Sequence, residues 1–208
     1  MVDLPTLTTY ILVVTGFVFI PGPATLLTMA RAASSGTRAG IATGAGIAVG
    51  DLLHTFMAII GISAIIATSA VLFSVLKYAG AAYLVYLGLR AILEKDQTRF
   101  LRAAVPMTAR QAFRQAILAE LLNPKTALFF LAFLPQFVKP ENGLVLVQLC
   151  VLGVVFVGLG LVSTVVFATT AGGLGEYLRR SPKVLKWQGK VVGSIYCALG
   201  VRLALQEQ

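Results

Sequence analysis

The stretch ELLNPKTALFF, Glu120 to Phe130, sets asparagine, proline and lysine in the middle of an otherwise apolar run. A proline inside a helix removes one backbone hydrogen bond and clashes with the preceding turn, at ~3 kcal/mol in a soluble helix. A lysine at the centre of a membrane-spanning helix costs ~3 kcal/mol more on insertion scales. Two such residues side by side mark a helix that is built to break. In a bilayer the backbone groups freed at a break must find partners in protein or in a water-filled cavity. The break therefore faces the interior of a bundle.

The rest of the chain supplies that bundle. Of the 208 residues, 58% are hydrophobic and 12% charged, and the mean hydropathy is +0.88. Soluble domains carry about twice that share of charge. A spanning helix needs ~20 mostly apolar residues. Six stretches qualify, at roughly 5–29, 41–67, 71–93, 112–138, 143–171 and 189–206. Short connections leave no room for a separate soluble domain, so residues 1–208 form a single transmembrane domain. The alternating pattern of a membrane β-barrel is absent. The expected fold is an all-α polytopic membrane protein with six transmembrane helices. Only Asp3 precedes the first stretch among charged residues, and no basic leader does, so that stretch reads as an uncleaved first span rather than a signal peptide.

The formal charge of +9 is distributed by side. Thirteen of the 17 Lys and Arg fall between stretches one and two, three and four, or five and six. Arg31 and Arg38 lie in the first of these connections, and Lys95, Arg99, Arg102, Arg110 and Arg114 in the second. Arg179, Arg180, Lys183, Lys186 and Lys190 lie in the third. Arg90 stands at the edge of stretch three. The positive-inside rule then puts both termini outside the cytoplasm. The basic connections face anionic membrane lipid rather than nucleic acid. With one histidine, His54, and two cysteines, Cys150 and Cys197, there is no HExxH and no Cys/His cluster. No metal or other cofactor is expected, and both cysteines read as reduced packing residues.

An internal repeat is visible. GAAYLVYLGLR, Gly80 to Arg90, and GSIYCALGVR, Gly193 to Arg202, share Gly-x-x-Tyr and a later Gly-x-Arg. GPAT, Gly22 to Thr25, matches NPKT, Asn123 to Thr126. The offset is about a hundred residues in both comparisons, which divides the chain into pseudo-repeats at approximately 1–95 and 106–208. Three spans is an odd number, so the halves have opposite orientation. Inverted repeats are typical of secondary transporters, whose substrate sites lie near the midplane at interrupted helices. Here the interruptions are Pro21-Gly22-Pro23 in span one and Asn123-Pro124-Lys125 in span four.

Further polar residues join these breaks. TARQ, Thr108 to Gln111, has the capping-box pattern, which starts span four there and leaves Lys125 far from either end. The alternative is that Lys125 snorkels to an interface. Gly40, Gly44, Ala48, Asp51, Thr55 and Ala58 form one stripe of small residues carrying a carboxylate near mid-span. Small stripes allow close helix approach. Asp51 reads as a proton carrier, a counter-ion to Lys125 or a ligand for a substrate ammonium. Glu120 shares a helix face with Asn123, as Asp51 does with His54. His54 suits a proton relay or a bond to a helix carbonyl. GAGIAVG, Gly44 to Gly50, lies inside an apolar span and reads as close packing, not as a dinucleotide loop. Glycine-lined faces serve packing within one chain or between two, which leaves a homodimer open.

PGPATLLTMARAASSGTRAGIATGAGIAVGDLLH, Pro21 to His54, resembles the amino-terminal signature of the LysE/RhtB superfamily of amino-acid exporters. LLNPKTALFFLAFLPQFV, Leu121 to Val138, resembles its second signature. The resemblance covers essentially the whole chain. It implies a bacterial inner-membrane exporter of amino acids or close derivatives, driven by the proton gradient. It supports Pro21, Gly22, Pro23, Asp51, Asn123, Pro124 and Lys125 as the substrate-binding core, and says little of Glu120 or His54. The branch that exports lysine and arginine tends to have Gln-Asn after Pro-Gly-Pro; here Ala24-Thr25 follows, which points to a neutral substrate such as threonine, homoserine or leucine. Export of another metabolite or toxic compound is the main rival. A passive small-solute channel is a further class, distinguished by its inability to transport uphill. No Ser/Lys, paired-Asp or metal arrangement suggests an intramembrane enzyme.

Overall fold

The computed structural model describes residues 2–19, 22–68, 70–93, 105–180 and 182–205. Every regular element among them is helical. In chain order they are α1 (Leu4–Phe19), α2 (Pro23–Ser35), α3 (Thr37–Thr68), α4 (Ala70–Leu93), α5 (Ala109–Leu121), α6 (Pro124–Leu128), α7 (Val145–Arg180) and α8 (Pro182–Leu205). A π-helical turn (Phe129–Phe133) and a 3-10 turn (Leu134–Phe137) continue α6, and a second 3-10 turn (Pro140–Asn142) leads to α7. Within α3 and α7, Thr37–Gly61 and Val145–Ala171 are long and apolar enough to cross a membrane, with mean hydropathies of 1.5 and 2.7. Two bent pairs, α1 with α2 and α5 with Lys125–Phe137, pass the same test as broken spans. The protein is an all-α polytopic membrane protein. The helices α4 and α8, each 24 residues, occupy the third and sixth apolar stretches.

Both expected breaks are present. The axis turns by 49° between α1 and α2 and by 55° between α5 and the segment after it. The second half of each begins in the same way. Gly22 is the N-cap of α2 with Pro23 at the first helical position, and Asn123 is the N-cap of α6 with Pro124 there. Proline is favoured at that position because its missing N–H would be unpaired anyway. Pro21 lies outside the described residues. The Thr108–Gln111 capping box forms as its sequence predicts and starts α5.

One connection differs from expectation. Only Gly36 separates α2 from α3, at φ 87°, a conformation that side chains disfavour. Arg31 therefore lies in α2, not in a loop, and is buried. Its Nη1 donates to the Val105 carbonyl at 2.6 Å and its Nη2 to Gln115 Oε1 at 2.8 Å, tying α2 to α5. Most of the basic middle connection, with Lys95, Arg99 and Arg102, lies outside the described residues. Cys197 donates weakly to the Val85 carbonyl between α8 and α4; Cys150 is exposed on α7.

Close helix packing follows the small residues. A methyl group added at Gly44 would stand 2.5 Å from Thr164 Oγ1, and one at Gly153 would stand 2.2 Å from Thr55 Cγ2. One at Gly160 would stand 3.5 Å from Asp51 Oδ2. Position rises along α3 as it falls along α7, so the two run antiparallel. The contacts are also reciprocal: Gly153 follows Gly44 by the same interval as Thr164 follows Thr55, and as Gly160 follows Asp51. Between α4 and α8, a methyl at Gly193 would stand 2.3 Å from the Gly88 carbonyl, and one at Gly200 2.7 Å from the Ala81 carbonyl. Gly200 follows Gly88 by the same interval as Gly193 follows Ala81. A second face of α3 meets α5, where Gly46 lies under the Phe113 carbonyl and Gly50 under the Glu120 side chain.

An aromatic cluster fills the space between α1, the distorted segment after α6, α7 and α8. It contains Tyr10, Phe17, Phe129, Phe130, Phe156 and Tyr196. Phe129 lies with its ring centroid 4.7 Å from both Phe17 and Phe156, and such pairs add ~0.5–1.5 kcal/mol each beyond burial. At the chain's start, Asp3 Oδ1 accepts the Thr6 N–H at 2.8 Å, while Oδ2 accepts from Lys139 Nζ at 2.9 Å and Asn142 Nδ2 at 2.7 Å. The bonds to Thr6, and then that to Lys139, hold the Asp3 carboxyl well below the usual carboxylate range.

Candidate functional site

The two breaks meet at one cavity. Gly22, Pro23, Ala24 and Thr25 line it from the first, and Asn123, Lys125 and Thr126 from the second. Asp51 of α3 and Glu120 of α5 supply carboxyls, and Gly160, Ser163 and Thr164 of α7 complete the wall with Phe17 and Phe156. Its volume is about 40 Å³, room for about three waters.

The two carboxyls are buried and close enough to interact electrostatically with each other and with Lys125. Glu120 Oε1 accepts from Asn123 Nδ2 at 3.1 Å and from the Thr126 hydroxyl. That carboxyl therefore bridges the end of α5 to the start of α6, across the break. The Asp51 carboxyl lies within hydrogen-bond reach of the Glu120 carboxyl, and the Thr55 hydroxyl donates to the Asp51 backbone carbonyl at 2.8 Å.

Lys125 forms no direct ion pair among the described residues. Its Nζ stands 4.1 Å from the centroid of the Phe17 ring and 5.2 Å from that of Tyr196. Cation–π contacts of this kind reach ~2 kcal/mol when desolvated, comparable to the cost of holding the charge at depth. The ammonium is thus stabilised without being neutralised, and it borders the cavity.

One carbonyl at each break is bonded within the protein. Pro124 has no N–H to give the Glu120 carbonyl four residues back. That oxygen instead accepts from the Asn123 N–H at 3.0 Å and bonds His54 Nε2 at 2.9 Å. A carbonyl only accepts, so Nε2 carries the proton. His54 also stacks on Phe130 at 6.0 Å and does not line the cavity. At the other break Ser163 Oγ donates to the Val18 carbonyl at 2.7 Å. Ser163 follows His54 by the interval that relates Gly160 to Asp51, so the reciprocal helices α3 and α7 each satisfy one break.

Of the residues singled out in the sequence, Gly22, Pro23, Asp51, Glu120, Asn123 and Lys125 share this cavity. Pro124 shapes it through the backbone. His54 stands behind it. Sequence reasoning missed Thr126, Ser163, Phe17 and Tyr196. Thr25 and Thr126 were visible as matched positions of the repeat, and Ser163 as a hydroxyl in a long apolar run. Nothing local marks Phe17 or Tyr196 as neighbours of Lys125.

A charged cavity thus lies between two broken helices of a membrane protein. The chain belongs to the LysE type translocator family, whose profile matches residues 15–207. It is 30% identical over 195 residues to the homoserine/homoserine lactone efflux protein of Salmonella typhimurium, with 94% of each chain covered. It is 31% identical over 195 residues, at the same coverage, to an uncharacterized membrane protein of Vibrio cholerae. No solved structure matches the chain.

Proposed function

We propose that this protein is a proton-coupled exporter of neutral amino acids or close derivatives across the bacterial inner membrane. The observation that carries the reading is the cavity itself, where Asp51, Glu120 and Lys125 converge between two broken helices. Two carboxyls and one ammonium fit a zwitterion and a proton. The substrate ammonium binds at Asp51 and its carboxylate lies on the Lys125 side. Two adjacent buried carboxyls do not both ionise readily, so Asp51 and Glu120 share a proton when substrate is absent. Arrival of the substrate ammonium displaces that proton. Protonation from the outer side releases the amine, and efflux is thereby tied to proton entry.

The reciprocal contacts of α3 with α7 and of α4 with α8 support six spans arranged as an inverted repeat, with halves near 1–95 and 106–208. The halves exchange access by rocking about this interface, with both termini outside the cytoplasm. A cavity of about 40 Å³ is too small for a whole amino acid, so binding requires it to widen. A second reading, export of a lactone, is favoured by the similarity to the homoserine/homoserine lactone efflux protein of Salmonella typhimurium.

The test is efflux from proteoliposomes loaded with labelled threonine, homoserine, leucine or homoserine lactone, under an imposed proton gradient. Uphill, proton-dependent efflux of one or more amino acids supports the proposal. Downhill-only flux would leave a channel, and transport of the lactone alone would select the second reading.

A further inference from the structure

Two ties join the broken spans, and they sit at opposite ends. Near the end of α2, Arg31 donates to the Val105 carbonyl and to Gln115 of α5. Ser35, the last residue of α2, accepts the Met107 N–H on its Oγ at 3.0 Å. The end of the first broken span is thereby bound to the beginning of the second. At the other extreme Asp3, just before α1, accepts from Lys139 and Asn142. These two follow the 3-10 turn in which the second broken span ends. Further along α1, Tyr10 packs edge-on against Phe137 at 5.0 Å. There the beginning of the first span is bound to the end of the second. Each tie repeats the other with the two spans exchanged. Along the first span, the break and the cavity that it lines lie between them.

Neither tie has the build of a permanent staple. Arg31 is 7% exposed, yet no carboxylate of a described residue pairs with it, and its Nε has no hydrogen-bond partner. A guanidinium is best satisfied by a carboxylate that takes two N–H bonds at once, and a buried donor left unpaired is costly. Opening that end to water would give Nε a partner and offset part of the bonds lost. The Asp3–Lys139 pair is open to solvent, with the two side chains 32% and 45% exposed, and exposed pairs contribute little. Both ties hold the spans together and both can be released.

We infer that the two ties are separate gates. The Arg31 tie, to Val105 and Gln115, closes one end of the route to the cavity, and the Asp3 tie, to Lys139 and Asn142, closes the other. Each end opens when its own tie parts. This rests on the transporter reading above, since a carrier needs two ends that open in turn. A cavity of about 40 Å³ must widen to take an amino acid, and parting the two broken spans at one end widens it.

The experiment is cysteine labelling of the full chain in lipid nanodiscs, with Cys150 and Cys197 replaced by serine. Two reporters are placed in separate proteins. Thr28→Cys lies between the break and Arg31, and Val14→Cys lies between Asp3 and the break. Both positions are fully buried, so a polar maleimide reacts only when an end opens, and its rate follows the open population. Gln115→Ala or Arg31→Gln should speed labelling of the Thr28→Cys reporter about tenfold, the scale of one hydrogen bond to a charged group, and leave the Val14→Cys reporter within about twofold. Asp3→Ala should speed the Val14→Cys reporter about threefold, the scale of an exposed ion pair, and leave the other within about twofold. Two variants at the Arg31 end keep the test valid if one of them fails to fold. Unchanged rates at either end would overturn the inference, as would equal acceleration of both reporters by one variant. No substrate is needed. End-selective labelling without transport of any amino acid would therefore keep the gates and remove the amino-acid reading; uphill amino-acid efflux with unselective labelling would do the reverse.

Discussion

Replacing His54 separates a structural bond from a proton relay. Its Nε2–H meets the Glu120 carbonyl at 2.9 Å, the oxygen that Pro124 deprives of its helical donor. The Asn123 N–H also reaches that oxygen, so loss of the histidine removes one of two donors and leaves no bare carbonyl. A hydrogen bond between neutral groups contributes ~0.5–1.5 kcal/mol net, and side-chain bonds measured within membranes average ~0.6 kcal/mol. His54→Phe keeps the stack on Phe130 and should lose ~1 kcal/mol, about a fivefold shift in the unfolding equilibrium. Gln places a donor near the Nε2 position, so His54→Gln should hold stability within ~0.5 kcal/mol. Reversible unfolding in mixed micelles reads the first quantity. Proton-driven efflux measured over a series of pH values reads the second. Both variants should keep coupled efflux with the wild-type pH dependence. A His54→Gln protein as stable as wild type but uncoupled would show that the imidazole carries protons, and would refute the structural role. A His54→Phe protein of full stability would refute the account of the carbonyl.

Asp51→Asn should abolish proton-driven efflux while leaving the amount of inserted protein unchanged, as measured by gradient-driven flux and membrane level; retained pH-driven transport would rule out Asp51 as the coupling group. Gly46→Ala puts a methyl 2.3 Å from the Phe113 carbonyl, and parting α3 from α5 should cost ~1–3 kcal/mol in melting experiments. Gly61→Ala meets nothing within 4 Å, so it should be neutral or mildly stabilising. The Asp3 carboxyl is held low, so its contribution to stability is present above the unfolded value of ~3.9 and is lost as pH falls through the lower folded value. Asp3→Asn should flatten that decline in melting temperature below about pH 4.

The helices and both breaks were legible because proline and cap chemistry act locally. Asn123-Pro124 is an N-cap followed by the first helical residue, and Thr108–Gln111 is a complete capping box. The small-residue stripe of α3 also announced its partner face, and Gly44, Asp51 and Thr55 all meet α7. What the chain did not disclose depends on residues distant in sequence. Gly46 and Gly50 lie off that stripe and show their purpose only once α5 is in place. Arg31 has the sequence signature of a cytoplasmic-loop charge, and only the tight Gly36 turn reveals it as a buried tie. The fate of the freed carbonyls was likewise invisible, because Ser163 and His54 reach them from other helices.

The Gly–Thr contacts that pin α3 to α7 have a mechanical consequence. Gly44 and Thr55 are separated by about 16 Å along the axis at 1.5 Å per residue, and Asp51 lies between them against Gly160. A rocking of one helix on the other by ~10° about this crossing would displace each Gly–Thr seat by ~1.4 Å, taking half that span as the lever arm. Asp51, close to the fulcrum, would move only a few tenths of an ångström. In such a motion the carboxylate would stay nearly still while the ends of the helices swing, so the membrane's two faces would take turns at a stationary charge instead of a charge shuttling between them.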